Sequence, residues 1–218
     1  MYTLIKNQRL RLAYSLVTAA LCLSGVIEAY DGTAGIFMYF TYLSNILVFL
    51  VLVCQSVFIV INLIKKRPPE ETLEIPGFVK GGTVVCISFV FLTVFLVLSP
   101  FEWPSDWLDA RVHYLTPFLT VLEFILFERH GKHMFYYPVC WMFAPIIYYG
   151  YVLVLYYNRI RFNKSLFPYF FMDHIAYGWA YVLKMLLMLA GVFLVYGMLL
   201  TALDRLPGMI AGRKKKNS

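Results

Sequence analysis

The chain has 218 residues, of which 61% are hydrophobic, 18% aromatic and only 14% charged, with a formal net charge of +7. Soluble domains lie nearer half apolar and a quarter charged, so this composition points away from a soluble globular enzyme and towards an α-helical integral membrane protein. The basic residues flank apolar runs and form no single basic face, which favours the bilayer over nucleic acid as the partner of that charge.

At about 20 apolar residues per crossing, the length holds roughly six transmembrane helices with short loops, as one domain over residues 1–218. Span 1 is predicted over residues 12–29, preceded by Lys6, Arg9 and Arg11. A basic start and one apolar run also fit a cleavable signal peptide, but Glu28 and Tyr30 follow where a small-residue cleavage site is expected. Span 2 is predicted over 36–64, long enough to tilt, and span 3 over 78–98, ending before Ser99-Pro100. Span 4, over 107–127, carries Pro117 and a predicted kink. Span 5 covers 135–157, with Pro138 near its start and Pro145 inside, and span 6 covers 173–203.

Orientation follows from the basic residues. The N-terminal segment, loop 2–3 (Lys65, Lys66, Arg67, Lys80), loop 4–5 (Arg129, Lys132) and the tail (Arg205, Arg213, Lys214, Lys215, Lys216) share one side. The other side holds Arg111, Arg159, Arg161 and Lys164. This bias places both termini in the cytoplasm, with the basic loop 5–6 as its weakest point. The acidic loops 1–2 and 3–4, with Glu28, Asp31, Glu102, Asp106 and Asp109, then face outwards. Cys22, Cys54, Cys86 and Cys140 all fall inside apolar runs without CxxC spacing and read as small packing residues.

Polar residues inside spans are informative because hydrocarbon penalises them. Thr41, Ser44 and Asn45 share one face of span 2; such residues commonly bond their own helix or bridge to a neighbour, so spacing alone leaves structure and function open. His113, Thr116, Thr120 and Glu123 form a stripe along span 4, which suggests an inward polar cavity. Asp173, Tyr177, Tyr181 and Lys184 form another on span 6, and Lys184 needs either a partner, for which Glu123 is the expected carboxylate, or a route to the interface.

Thr41 and His113 lie about five and six residues inside the same ends of spans 2 and 4, roughly 8–9 Å deep at 1.5 Å per residue. A threonine hydroxyl becomes a nucleophile when a base takes its proton, and a neutral histidine is suited to that role. Ser44 and Asn45 are candidate oxyanion donors. The site would lie beneath the headgroups, within reach of a lipid ester. The chain has no Gly-rich phosphate loop, HExxH, GxSxG or metal-spaced Cys/His cluster, so no metal or cofactor is expected.

Three short stretches, Phe40-Thr41-Tyr42-Leu43-Ser44-Asn45, His113-Tyr114-Leu115-Thr116-Pro117 and Phe167-Pro168-Tyr169 with Asp173, resemble the bacterial six-span relatives of the androgen-induced-gene family. The animal members are membrane threonine hydrolases that cleave fatty acid esters of hydroxy fatty acids with one threonine and one histidine. The resemblance implies Thr41 as nucleophile and His113 as base. The sequence departs from it at Glu123-Phe124, where relatives carry an acidic residue and Trp, and the Thr41 motif is nearer the bacterial form, so the substrate is not carried over. The expected location is a bacterial plasma membrane; the tail Lys215-Lys216-Asn217-Ser218 also fits a dilysine retrieval signal of the endoplasmic reticulum. Against the hydrolase stands a small-solute or proton-coupled transporter, suggested by Glu123, Lys184 and the helix-breaking Pro117 and Pro145.

Overall fold

The computed structural model describes residues 3–68, 71–160 and 166–216, with side chains to Leu206. Arg161 and Lys164 of loop 5–6, Asn217, Ser218 and the tail side chains from Arg213 lie outside the described residues. Among the described residues there is no strand, and six helices are long and apolar enough to cross a membrane, as in a multi-pass membrane protein. They are Gln8–Ala29, Phe40–Ile64, Gly77–Leu98, Trp107–Phe127, Tyr137–Tyr157 and Trp179–Leu206, called spans 1 to 6 below.

The boundaries differ from expectation where backbone chemistry outranks hydropathy. Span 1 starts a turn earlier because the Asn7 side chain accepts from the N–H groups of Arg9 and Leu10 at 3.0 and 3.1 Å. That cap draws Arg11 into the helix. Span 2 starts later, at Phe40, because Ala34–Met38 forms a separate 3-10 turn capped by Thr33. Span 6 starts at Trp179: Asp173 instead caps the short helix His174–Tyr177, and Gly178, at φ 78°, breaks the chain before the long helix. Spans 3 and 4 each contain a π-helical turn, Val94–Leu98 and Arg111–Leu115.

Spans 1 and 2 pack along their length, while span 3 is central and touches spans 2, 4 and 6. At Gly81 and Gly82 span 3 lies directly against the Trp141 ring; a Cβ on Gly81 would meet it at 2.6 Å. Span 5 is the least enclosed, and large apolar side chains such as Leu16, Ile147 and Leu187 point outwards, as lipid contact requires.

The two ends of the bundle differ in chemistry. At the end where spans 1 and 3 begin, Arg11, Gln55, Lys80, Glu123 and Glu128 form one buried network. Arg11 Nε lies 3.2 Å from Glu123 Oε1, and Lys80 Nζ lies 2.5 Å from Glu123 Oε2. Gln55 Nε2 donates to Glu123 Oε1 at 2.7 Å and to Ser15 Oγ at 2.8 Å. Arg11 also pairs with Glu128. Two cations face two carboxylates, so the cluster is neutral. This overturns the expected Glu123–Lys184 pair: Lys184 is exposed on span 6, near that helix's start, and its stem can carry the ammonium to the interface. Arg11 and Lys80, read from sequence as loop charges, are the true partners.

Nearby, Asp204 ties loop 4–5 to span 6. Its carboxylate accepts from the backbone N–H groups of Gly131 and His133 at 3.0 and 3.1 Å, and faces Nδ1 of His130 and of His133 at 3.1 and 2.9 Å. The other ring nitrogen of each histidine faces a carbonyl, Ile125 O or Gly77 O, at 3.0 Å. The two acceptors that face the His130 ring favour its doubly protonated form. The hydrogen bond to Asp204 raises the His130 pKa, against a burial that lowers it. A raised folded pKa stabilises fully below the unfolded value of about 6.5 and is lost as pH rises through the folded one. The melting temperature in detergent is therefore expected to fall between pH 6 and pH 8.5, with a smaller fall in His130→Gln. An unchanged pH dependence in that variant would exclude His130 as its source.

Candidate active site

Span 4 is shaped by its proline. In the π turn the Thr116 N–H bonds Arg111 O, one residue further back than in an α-helix. The next carbonyl in that ladder, Val112 O, would need the N–H of Pro117, which does not exist. Asn45 of span 2 supplies it: Nδ2 donates to Val112 O at 3.1 Å and to Thr41 O at 2.9 Å. Asn45 Oδ1 in turn accepts from Thr116 Oγ1 at 2.7 Å. Asn45 is thus a clamp between spans 2 and 4, with its amide committed and unable to serve as an oxyanion donor. Asn45→Leu is expected to cost about 1–3 kcal/mol by stranding Val112 O and the Thr116 hydroxyl. Thermal unfolding in detergent measures this, and a melting point equal to wild type would refute the clamp.

The clamp sets the register of the site. Thr41 Oγ1 lies 3.2 Å from His113 Nε2. His113 Nδ1 lies 2.5 Å from Asp109 Oδ1, one helical turn away. An ionised Asp109 only accepts, so Nδ1 carries the proton and Nε2 offers its lone pair to the Thr41 hydroxyl. Hydroxyl, imidazole and carboxylate therefore lie in the order found in hydrolytic triads.

Thr41 is buried in the first turn of span 2, where backbone N–H groups have no helical acceptor. Tyr169 lines both cavities beside Thr41, and its phenol interacts with the Thr41 side chain and with the backbone of Phe40 and Thr41. Burial raises the Tyr169 pKa, which keeps the phenol a neutral donor. The N-terminus of span 2 and the Tyr169 hydroxyl thus lie together beside the Thr41 side chain.

The remaining sequence candidates line neither cavity beside Thr41. Ser44 is buried away from both. Thr116 and Thr120 do not line a polar cavity: Thr116 serves the clamp, and Thr120 bonds Thr116 O at 2.7 Å within the helix. Glu123 belongs to the charge network at the opposite end, Asp173 is a helix cap, and Lys184 stands apart on span 6. Sequence reasoning missed Asp109 and Tyr169. The i,i+4 spacing of Asp109 and His113 was a usable signal for the first; for the second, the stretch Phe167-Pro168-Tyr169 was singled out by its resemblance, but nothing local showed that the chain brings it back over span 2.

No family, curated protein or solved structure matches this chain. Among the described residues, no group of three or more His, Cys, Asp and Glu side chains is placed to hold a metal ion.

Proposed function

We propose that this protein is an intramembrane threonine-type hydrolase of a lipid ester, a fatty acid ester of a hydroxy fatty acid or a similar acylated amphiphile. The observation that carries the reading is the Thr41–His113–Asp109 relay at the edge of an apolar cavity. The basic residues support an orientation with both termini in the cytoplasm, which puts the relay in the outer leaflet of what we take to be a bacterial plasma membrane. The short motifs around Thr41 and His113 support a place among the bacterial relatives of the androgen-induced-gene family.

In this mechanism Thr41 Oγ1 attacks the ester carbonyl carbon while His113 Nε2 takes its proton. Asp109 stabilises the imidazolium, and the Tyr169 hydroxyl, held at the N-terminus of span 2, donates to the oxyanion. Collapse expels the alkoxide, which takes the proton from His113 and leaves an acyl-Thr41 ester. Water then gives a proton to His113 and attacks the acyl carbon, and the fatty acid departs as the proton returns to Thr41.

A fluorophosphonate probe is expected to label the purified protein at Thr41 and to fail on Thr41→Ala. Equal labelling of both, or of His113→Ala, would refute the assignment. The transporter reading finds less support, since Glu123 pairs with Arg11 and Lys80 rather than Lys184 and accepts from Gln55.

A further inference from the structure

The Thr41 hydroxyl stands where two cavities meet. One, of about 400 Å³, lies between spans 3, 5 and 6 and is almost wholly apolar. The other, of about 470 Å³, lies between the end of span 1, the starts of spans 2 and 4 and residues 168–170, and includes Asp31, Tyr39 and Tyr42. Thr41, Leu98 and Tyr169 belong to both walls, whereas His113 lines only the second.

We propose that the apolar cavity seats the acyl chain and the second cavity holds the alcohol part of the ester, an assignment that rests on the hydrolase reading of Thr41. The chemistry fixes the direction. When the tetrahedral intermediate collapses, the C–O bond to the alcohol breaks and that oxygen receives the proton held on His113 Nε2. The departing oxygen must therefore lie on the His113 side of Thr41. The acyl carbon stays bonded to Thr41 Oγ1, and its chain must point the other way, into the cavity that His113 does not line.

The shape agrees. Cavity-lining residues on span 6 run from Leu183 to Phe193, so the slot is about 15 Å long at 1.5 Å per residue. Its inner end is closed by Phe89 and Phe193, whose rings meet edge to face at 5.2 Å, together with Met142. Each methylene placed there gains about 0.8 kcal/mol relative to water. The side wall is open: Ile146 of span 5 and Leu183 and Leu187 of span 6 line the cavity and are also exposed, so a chain already in the bilayer can enter between spans 5 and 6 without crossing water.

The test compares hydrolysis of 4-nitrophenyl acetate and 4-nitrophenyl laurate, which share a leaving group. Ala190→Phe fills the apolar cavity; kcat/KM for laurate is expected to fall about tenfold or more, while that for acetate stays within about twofold. Ala29→Trp fills the second cavity and is expected to lower both esters by the same factor. Unchanged labelling of Ala190→Phe by a short-chain fluorophosphonate shows that its site is folded. Equal losses for both esters in Ala190→Phe, or chain-length discrimination in Ala29→Trp, would overturn the assignment. If Thr41→Ala leaves both activities intact, the hydrolase reading is what fails. A twelve-carbon fatty acid with a terminal diazirine then decides the chain seat by itself: cross-links to Phe89, Met142 or residues within Leu183–Phe193 keep it, and cross-links elsewhere remove it.

Discussion

Lys80→Met is expected to destabilise the protein by about 3–5 kcal/mol, because it leaves the Glu123 carboxylate one cation short in the middle of a helical bundle. Lys80 is 1% exposed and Glu123 is 0% exposed, so water cannot replace the lost ammonium. The net neutral set of Arg11, Lys80, Glu123 and Glu128 becomes an uncompensated anion. Thermal unfolding in detergent is expected to show a drop of about 10 °C or more. The double variant Lys80→Met with Glu123→Gln restores the charge balance, and its loss is expected to be smaller than the sum of the single losses. Lys184→Met is the control. Lys184 is exposed, and its loss is expected to stay within about 0.5 kcal/mol. A Lys184→Met loss as large as that of Lys80→Met would restore the pairing with Glu123 and contradict the packing of span 3.

The second large effect is catalytic. In the proposed mechanism Asp109 acts through His113: it fixes the tautomer that leaves Nε2 free for Thr41 and stabilises the charge His113 acquires. Asp109→Asn keeps the shape but removes that charge, and the amide can present its N–H to Nδ1, which favours the wrong tautomer. With 4-nitrophenyl laurate, kcat is expected to fall by about 10²–10⁴-fold with KM little changed. A purely structural role would instead lower stability or raise KM at constant kcat. That pattern would remove Asp109 from the relay while leaving the Thr41–His113 pair to be tested by its own variants.

The parts of this protein legible in its sequence are those written in one-dimensional statistics. Six apolar runs announced six helices, since nothing competes with hydropathy over twenty residues. The equal depths of Thr41 and His113 were also countable, because alternating spans fix which end of each helix comes first. What was not legible depends on contacts between distant segments. Lys80 looked like a loop cation because it stands at the very start of predicted span 3, on the same side as Lys65, Lys66 and Arg67; Pro76 and Gly77 start the helix just before it and turn it inwards. Asn45 looked like a catalytic donor because it lies a turn from Thr41. Its real task follows from a missing N–H at Pro117, seventy-two residues later in the chain, which matters only once the two helices touch.

The π turn of Arg111–Leu115 has a further consequence for how span 4 is read along its length. An α-helix advances about 100° per residue, so an inserted position rotates everything before it relative to everything after it. Span 4 is therefore two helical faces joined out of phase. Its first face presents Asp109 and His113 to Thr41, and its second presents Thr116, Thr120 and Glu123 to the interior. Asn45 holds both faces at once, since it bonds Val112 O before the change of phase and the Thr116 hydroxyl after it. One helix thereby serves the relay and the buried charges from two different sides.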